Sequence, residues 1–562
     1  MAANRSSRII PGRYPPPGTS PVADAIRVRR GARGITPLDA ALLHVPPVAG
    51  GWNLLLGAVR TQGKLPGDVR ELMILRVAAI NRAAFEWIHH EDVGRTSGLT
   101  SAQLYIVRDT VTPLPPSAGI LSPLQASALM FADASTREVK VGKAITDALT
   151  KSLESWAREQ DPENVEERTQ DLLVEATAVV ASYNMVSRFL VALDVAGMSD
   201  DVVPWPVERR EHFITIPSSS ETTHTIHAIT LEASSTAPWV VFANSLLTDL
   251  SMWGYLIPYL ISDSPDPATG NVRRPYNILL HSQRGHGKST LPDAPESTTI
   301  PALASDIAHI LASLNIATPV HSIIGVSQGG AAALAFARSY PHLAHSVVAC
   351  DTSPKTPVGN KEAWAGRIGL VYGGVSAEDI LREGVKDGEV GKGAEYAVKV
   401  GMGHLAGVTV PRWFPNRSKC ENEETERGER HAWLKKMVES TPVGGFVAGA
   451  EALSDYELYQ SKRQIFSQLE RADDLRLSED EKSQELFTSP IERVFLVAGS
   501  LDGGGNVGKT LQRLRDEWNT VRGKNEQAKP VEYVEIESAG HLPMIDETER
   551  FAEVLRKLLD SF

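Results

Sequence analysis

Two groups of residues in the 562-residue chain have the types and spacing for chemistry. The first centres on Ser327, set between Gly325 and Gly329 in "IIGVSQGGAAALAFA" (323–337). A serine hydroxyl is a poor nucleophile at neutral pH. It needs a base within hydrogen-bond reach and an acid that orients the base. Asp502, after "RVFLVAGSL", and His541, after "VEYVEIESAG", follow in the chain order, serine then acid then histidine, that accompanies a G-x-S-x-G turn between strand and helix. Asp351, at the end of "HSVVAC", is a rival acid; the glycine-containing turn "AGSLDGG" favours Asp502 by exposing it at a sheet edge. An oxyanion needs backbone donors. The Gln328 N–H, next after the serine, and the Leu246 N–H in "FANSLLTDLSMW" are expected to serve, with Asn244 and Ser245 shaping the turn.

The second group lies in "LPGDVRELMILRVAAINRAAFEWIHHEDVGRTSGLT" (65–100), where Glu86 and His90 are four apart and share a helical face. Glu71 precedes Glu86 by fifteen residues, which on one straight helix is roughly 22 Å. Either the helix breaks near "AINRA", where Asn81 favours a turn, or Glu71 serves another site.

The elements that must position these groups follow two grammars. Up to about residue 198 apolar residues recur every three or four positions, which predicts an all-α domain over 22–198, preceded by a flexible arm at 1–21. The break "SDDVVPWPVERRE" (199–211) reads as a linker. From 212 to 562 short β-rich runs alternate with helical segments, predicting a mostly parallel sheet covered on both faces. Strand grammar lapses between "CDTSPKTP" and "RVFLVAG", and the stretch at about 357–490 is expected to form a helical lid. In this frame "HSIIGVS" is the strand, and "QGGAAALAFARSY" the helix, of a sharp nucleophile turn. "QRGHGKS" (283–289) reads as a structural turn that includes His286.

Composition narrows the function class. A net charge of −12 argues against nucleic-acid binding, and no stretch approaches the roughly 20 apolar residues of a membrane span. The two cysteines, Cys350 and Cys420, offer neither a disulfide framework nor a metal cluster and suit a reducing, cytoplasmic setting. Seven arginines against one acid in residues 1–34 read as a solvated basic arm, because "PGRYPPPGTSP" cannot form the amphipathic helix of a transit peptide.

The motifs "NSLLTDLSMW", "RGHGKS", "GVSQGGAA", "CDTSPKTPVGNKEAWAGRI", "VPRWF", "GGFVAGAEAL" and "AGSLD" through "AGH" resemble, in order, the 3-oxoadipate enol-lactonases of the α/β-hydrolase fold over 212–562. Ser282 and Gln328 depart from that pattern, standing where an aspartate and an aliphatic residue are usual. The resemblance implies a carboxylate-bearing lactone or ester substrate, received by Arg412 with Trp413 in "VPRWF", or by Arg367 in "WAGRI".

Residues 22–198 resemble the carboxymuconolactone decarboxylase family through 65–100 and "YNMVSRFL". Ala83 and Glu86 stand where its redox relatives carry two cysteines, His90 matches their histidine, and Glu71 matches their proton-relay glutamate. Thiol chemistry is therefore ruled out there, whereas proton transfer is not. Arg70, Arg76 or Arg82 is expected to hold a substrate carboxylate. Together the resemblances imply 4-carboxymuconolactone decarboxylation followed by enol-lactone hydrolysis, without metal or organic cofactor, in a homo-oligomer built through the helical domain. One alternative is a hydrolase of another ester or lactone whose helical half is only an oligomerisation module; another is a ligand-binding protein with an inactive hydrolase pocket, against which the complete order of Ser327, Asp502 and His541 argues.

Overall fold

The computed structural model describes residues 7–114, 119–217, 222–263, 270, 272–372, 392–415, 424–458, 491–522 and 529–562. The chain divides into two compact units after Val207.

The first unit is helical: α1 (Pro21–Arg30), α2 (Pro37–Leu42), α3 (Pro46–Thr61), α4 (Gly67–Ile80), α5 (Ala84–Thr96), α6 (Ser101–Arg108), α7 (Pro123–Glu138), α8 (Lys143–Gln160) and α9 (Val165–Ala192). Helix α4 is central. Leu72, Met73, Ile74, Leu75, Val77 and Ala78 are wholly buried, so no side of it is left to solvent. The helix stops at Asn81, whose side-chain amide donates to Asn184 and Ser187 of α9. Arg82 then takes φ +56° and the chain restarts as α5. This reversal removes the straight-helix separation and folds α5 back along α4.

Residues 7–20, expected within a free arm, are docked on this unit. Arg8 pairs with Asp194 at 2.6 Å, Ser7 Oγ donates to the Leu193 carbonyl at 2.8 Å, and the Arg13 N–H donates to Ala40 at 3.0 Å. The proline-rich chain has few backbone donors, so it is fastened by side chains and isolated backbone groups instead of by helix formation.

The second unit is an eight-stranded sheet in the order β1-β2-β4-β3-β5-β6-β7-β8. The strands are β1 (Glu208–Pro217), β2 (Thr223–Glu232), β3 (Trp239–Ala243), β4 (Asn277–His281), β5 (Val320–Val326), β6 (Ala344–Cys350), β7 (Arg493–Gly499) and β8 (Glu532–Ile536). β2 is antiparallel to its neighbours β1 and β4, and the remaining pairs are parallel. Strand β1 begins at Glu208, inside the span expected to be linker, because "ERREHFITIP" pairs along its length with β2. β4 and β5 are buried at every position, as strands covered on both faces must be.

Helices α10 (Ile257–Ile261), α11 (Ile300–Ser313) and α12 (Gln328–Ser339) accompany the sheet. Between β6 and β7 lie α13 (Asn360–Val371), α14 (Lys392–Trp413), α15 (Glu424–Ser440) and α16 (Val443–Ser454). These occupy the span expected to be the lid, whose 373–391, 416–423 and 459–490 portions lie outside the described residues. No described helix is long and apolar enough to cross a membrane.

Candidate functional site

Ser327 sits where β5 turns into α12, at φ +56° and ψ −118°, a conformation that costs a non-glycine residue energy and lifts its side chain off the sheet. Its N–H donates to the Cys350 carbonyl at 2.9 Å, and the Ser327 carbonyl accepts from Thr352 Oγ1 at 2.7 Å. The flanking glycines are steric requirements. A Cβ on Gly325 would lie 2.1 Å from the Gly329 carbonyl oxygen, and one on Gly329 would lie 2.1 Å from that of Ala243. Gly329→Ala should therefore destabilise the hydrolase unit by about 3 kcal/mol or more, read as a lower urea midpoint, because both crowded groups are backbone.

Asp502 follows β7 and His541 follows β8, so both stand with Ser327 at the carboxyl ends of the parallel strands. Asp502 Oδ2 and His541 Nδ1 are 2.8 Å apart. Burial works against the Asp502 charge, but His541, a hydrogen bond with the Asp351 carboxyl and Arg412 outweigh it and hold the carboxyl below its usual range. The loop before His541 is clamped by the end of α14. The His541 N–H donates to the Trp413 carbonyl at 2.9 Å, and a Cβ on Gly540 would lie 2.1 Å from that same oxygen. The Trp413 ring lies nearly parallel to the imidazole, with centroids 6.5 Å apart. Among the described residues the Ser327 hydroxyl has no hydrogen-bond partner, His541 included.

The Leu246 and Gln328 N–H groups likewise have no protein acceptor among the described residues. The turn that carries Leu246 is fixed from beside it. Leu247, at φ +69°, donates its N–H to His286 Nε2 at 3.3 Å, while His286 Nδ1 lies 2.8 Å from the Arg284 carbonyl. With Nδ1–H donating, Nε2 is left as the acceptor. Burial pushes the His286 pKa down to about 4, which keeps that acceptor available. His286 thus supports the loop, in keeping with its structural reading. The Gln328 side chain, the polar departure in the elbow, accepts from Gln283 at 2.8 Å and donates to the Gly449 carbonyl of α16 at 2.7 Å. It joins the elbow to the helices between β6 and β7.

Arg412 is exposed, and its charge acts on Asp502. Arg367 lies over the Trp364 ring at 4.4 Å, stacked within one turn of α13.

In the helical unit the α4–α5 reversal brings Glu71, Glu86 and His90 to one cavity of about 230 Å³, with Arg30, Arg33, Arg60 and Arg70 also in its lining. His90 Nδ1 and Glu71 Oε2 are 2.7 Å apart. Nδ1–H donating to the carboxylate leaves Nε2 to accept from the Tyr183 hydroxyl at 3.2 Å, and Arg60 Nε donates to that hydroxyl oxygen at 2.6 Å. Burial lowers the His90 pKa, against the opposing pull of Glu71. Glu86 is 2 % exposed, and neither of its carboxyl oxygens has a hydrogen-bond partner. Its pKa is pushed well above the carboxylate range by burial, which Arg60 only partly offsets.

Two expectations for this cavity are corrected. Arg76 is wholly buried away from it, bonded to Asp133 and to the carbonyls of Ile106, Val107 and Asp109, so it holds α6 and α7 to α4. Arg82 is an exposed hinge residue. The arginines that do line the cavity, apart from Arg70, come from α1, α3 and the turn after α1. Sequence reasoning missed them, and it gave no role to Tyr183 although "YNMVSRFL" contains it.

Comparison with known proteins agrees with this division. The alpha/beta hydrolase family matches residues 240–554, and the carboxymuconolactone decarboxylase family matches residues 46–114. The 3-oxoadipate enol-lactonase 1 of Acinetobacter baylyi is 25% identical over 232 residues, 41% of this chain and 67% of that protein. The 3-oxoadipate enol-lactonase 2 of the same organism is 31% identical over 134 residues, 24% of this chain and 43% of that protein. The chain thus spans less than half the length of this second relative. Among solved structures, the enol-lactonase from Burkholderia xenovorans LB400 is 21% identical with a TM-score of 0.40, across 62% of this chain and all of that one. Both family matches fall where the two constellations lie: the chain belongs to the alpha/beta hydrolase family, as an enzyme that carries a carboxymuconolactone decarboxylase family domain ahead of its hydrolase domain.

Proposed function

We propose that the chain performs two consecutive steps, decarboxylation of 4-carboxymuconolactone to the enol-lactone and hydrolysis of that lactone to 3-oxoadipate. The carrying observation is that a chain with an elbow serine and a paired histidine and aspartate at the carboxyl ends of one parallel sheet also holds an arginine-lined cavity where two glutamates and a histidine converge.

In the first step the arginines of the cavity bind the carboxylates. The ring carbon to carboxylate bond breaks and CO2 leaves. The electron pair passes through the ring double bond toward the lactone carbonyl, and a proton adds to the carbon beside that carbonyl. Glu86, kept protonated by burial, is the donor. His90, with Glu71 and Tyr183, resupplies the proton.

In the second step Ser327 Oγ attacks the lactone carbonyl as His541 takes its proton, and the oxyanion is received by the Leu246 and Gln328 N–H groups. The ring C–O bond breaks, and the departing enolate takes the proton held by His541 and becomes a ketone. Water activated by His541 then releases the acid and frees the serine. Arg412, beside Trp413, is suited to the remaining carboxylate. Assembly through the helical domain belongs to the same reading, supported by exposed Val28, Leu54 and Leu55 on α1 and α3.

The test is to supply the full chain with 4-carboxymuconolactone and follow CO2 and 3-oxoadipate together. They are expected to appear in equal amounts. Absence of CO2 with esterase activity retained would leave a hydrolase of another ester and a non-catalytic helical half.

A further inference from the structure

We propose that Asp351 is a second acid of the hydrolase relay: a positioning residue that backs Asp502 and takes over its contact with His541 when Asp502 is removed. The proposal rests on the assignment of Ser327, Asp502 and His541 as the hydrolytic residues.

Asp351 directly follows β6 at φ +45°, and its N–H donates to the Val497 carbonyl of β7 at 2.9 Å, which carries its carboxyl across the end of that strand. The side chain is 3 % exposed. Oδ1 accepts the Gly499 N–H at 2.9 Å, whereas Oδ2 is buried with no N–H or hydroxyl donor against it and has the Asp502 carboxyl as its hydrogen-bonding neighbour. A carboxylate oxygen of Asp351, one of Asp502 and a ring nitrogen of His541 all lie within 4.8 Å of one another. Two carboxylates in so small a buried space cannot both ionise. Asp502 has the support of His541 and Arg412; Asp351 has one amide. The proton therefore rests on Asp351, pushed well above its usual range by burial first and by the Asp502 charge second. The other titratable groups facing it, Cys350 and Tyr533, are shifted toward their neutral forms.

A neutral acid so placed turns its proton toward Asp502 and fixes the face that Asp502 presents to His541. Once the like charge of Asp502 is gone, Asp351 can ionise, with the His541 nitrogen within a side-chain rotation. A purely structural role, pinning β6 to β7 through Gly499, predicts neither effect.

Hydrolysis of 4-nitrophenyl acetate by the full chain separates the two. Asp502→Ala is expected to remain about ten-fold or more faster than the Asp351→Asn/Asp502→Ala double variant. The acid limb of its kcat/KM profile should lie at higher pH than that of the parent, because Asp351 must lose its proton to act. In the Asp502 background, Asp351→Ala should slow the enzyme about ten-fold, and Asp351→Asn should recover most of that loss because its amide N–H can still donate. Asn also tolerates the positive φ. Equal rates for Asp502→Ala and the double variant overturn the proposal, as does an Asp351→Asn variant as slow as a folded Asp351→Ala. Should Ser327→Ala retain the parent rate, the assignment of the hydrolytic residues fails first, and that failure is distinct.

Discussion

Ser327→Ala is expected to lower enol-lactone hydrolysis by about 10⁵-fold while CO2 release from 4-carboxymuconolactone keeps its parent rate, so that enol-lactone accumulates. The size of the loss follows from the site. The Ser327 hydroxyl is the only nucleophile the elbow offers to the pair formed by His541 and Asp502. With alanine the oxyanion donors and the pocket remain, but no acyl-enzyme can form. Alanine is smaller than serine and leaves the crowded glycines at 325 and 329 untouched, so an intact fold is expected and the kinetic effect is not confused with unfolding. Independence of the first step follows from the division of the chain after Val207, with Glu71, Glu86 and His90 all in the first unit. Product analysis by chromatography reads both halves at once. Loss of CO2 release together with hydrolysis would mean that the two chemistries share a residue, and the two-site reading would fail.

What the sequence disclosed depended on how local each constraint is. The elbow was legible because its requirements lie within five residues: glycines on either side of Ser327 whose Cβ atoms would strike backbone. Asp502 and His541 were legible from strand order, since each follows an apolar run. Asp351 and Asp502 were read as rivals, yet both reach the same few ångströms, because the adjacency of β6 and β7 is a property of the sheet and not of either segment. In the helical unit Asn81 marked the turn correctly. The partners supplied by α3 and α9, Arg60 and Tyr183, come from long-range packing that no spacing records. Arg76 was misassigned for a related reason. A helix buried on every side, as α4 is, has no solvent stripe, so periodicity cannot say which of its polar residues faces a cavity. Proline content near the N-terminus excluded a helix there but was silent about docking through Arg8 and Asp194.

Glu86→Gln should have opposite effects on activity and on stability. As the proton donor of the first step, Glu86 acts in its protonated form, and glutamine keeps the shape without an acidic proton. CO2 release is expected to fall by about 10³-fold, and in the parent enzyme it should decline as pH rises through the elevated Glu86 pKa. For stability, the folded state holds this proton more tightly than the unfolded chain does. Below the ordinary glutamate range both states are protonated and the group contributes no pH dependence. Above it the unfolded chain releases the proton first, so the parent loses stability with rising pH until the folded carboxyl also ionises. Glutamine does not titrate. The variant should therefore match the parent in acid and become progressively more stable than it toward pH 8, measured as paired urea denaturation of the two proteins at several pH values. Arg60 offsets part of the burial effect, so Arg60→Met alongside Glu86 should widen the gap that Glu86→Gln then removes. A stability difference that does not change with pH would mean that Glu86 is not held neutral in the cavity, and the donor role argued for it would fall with it.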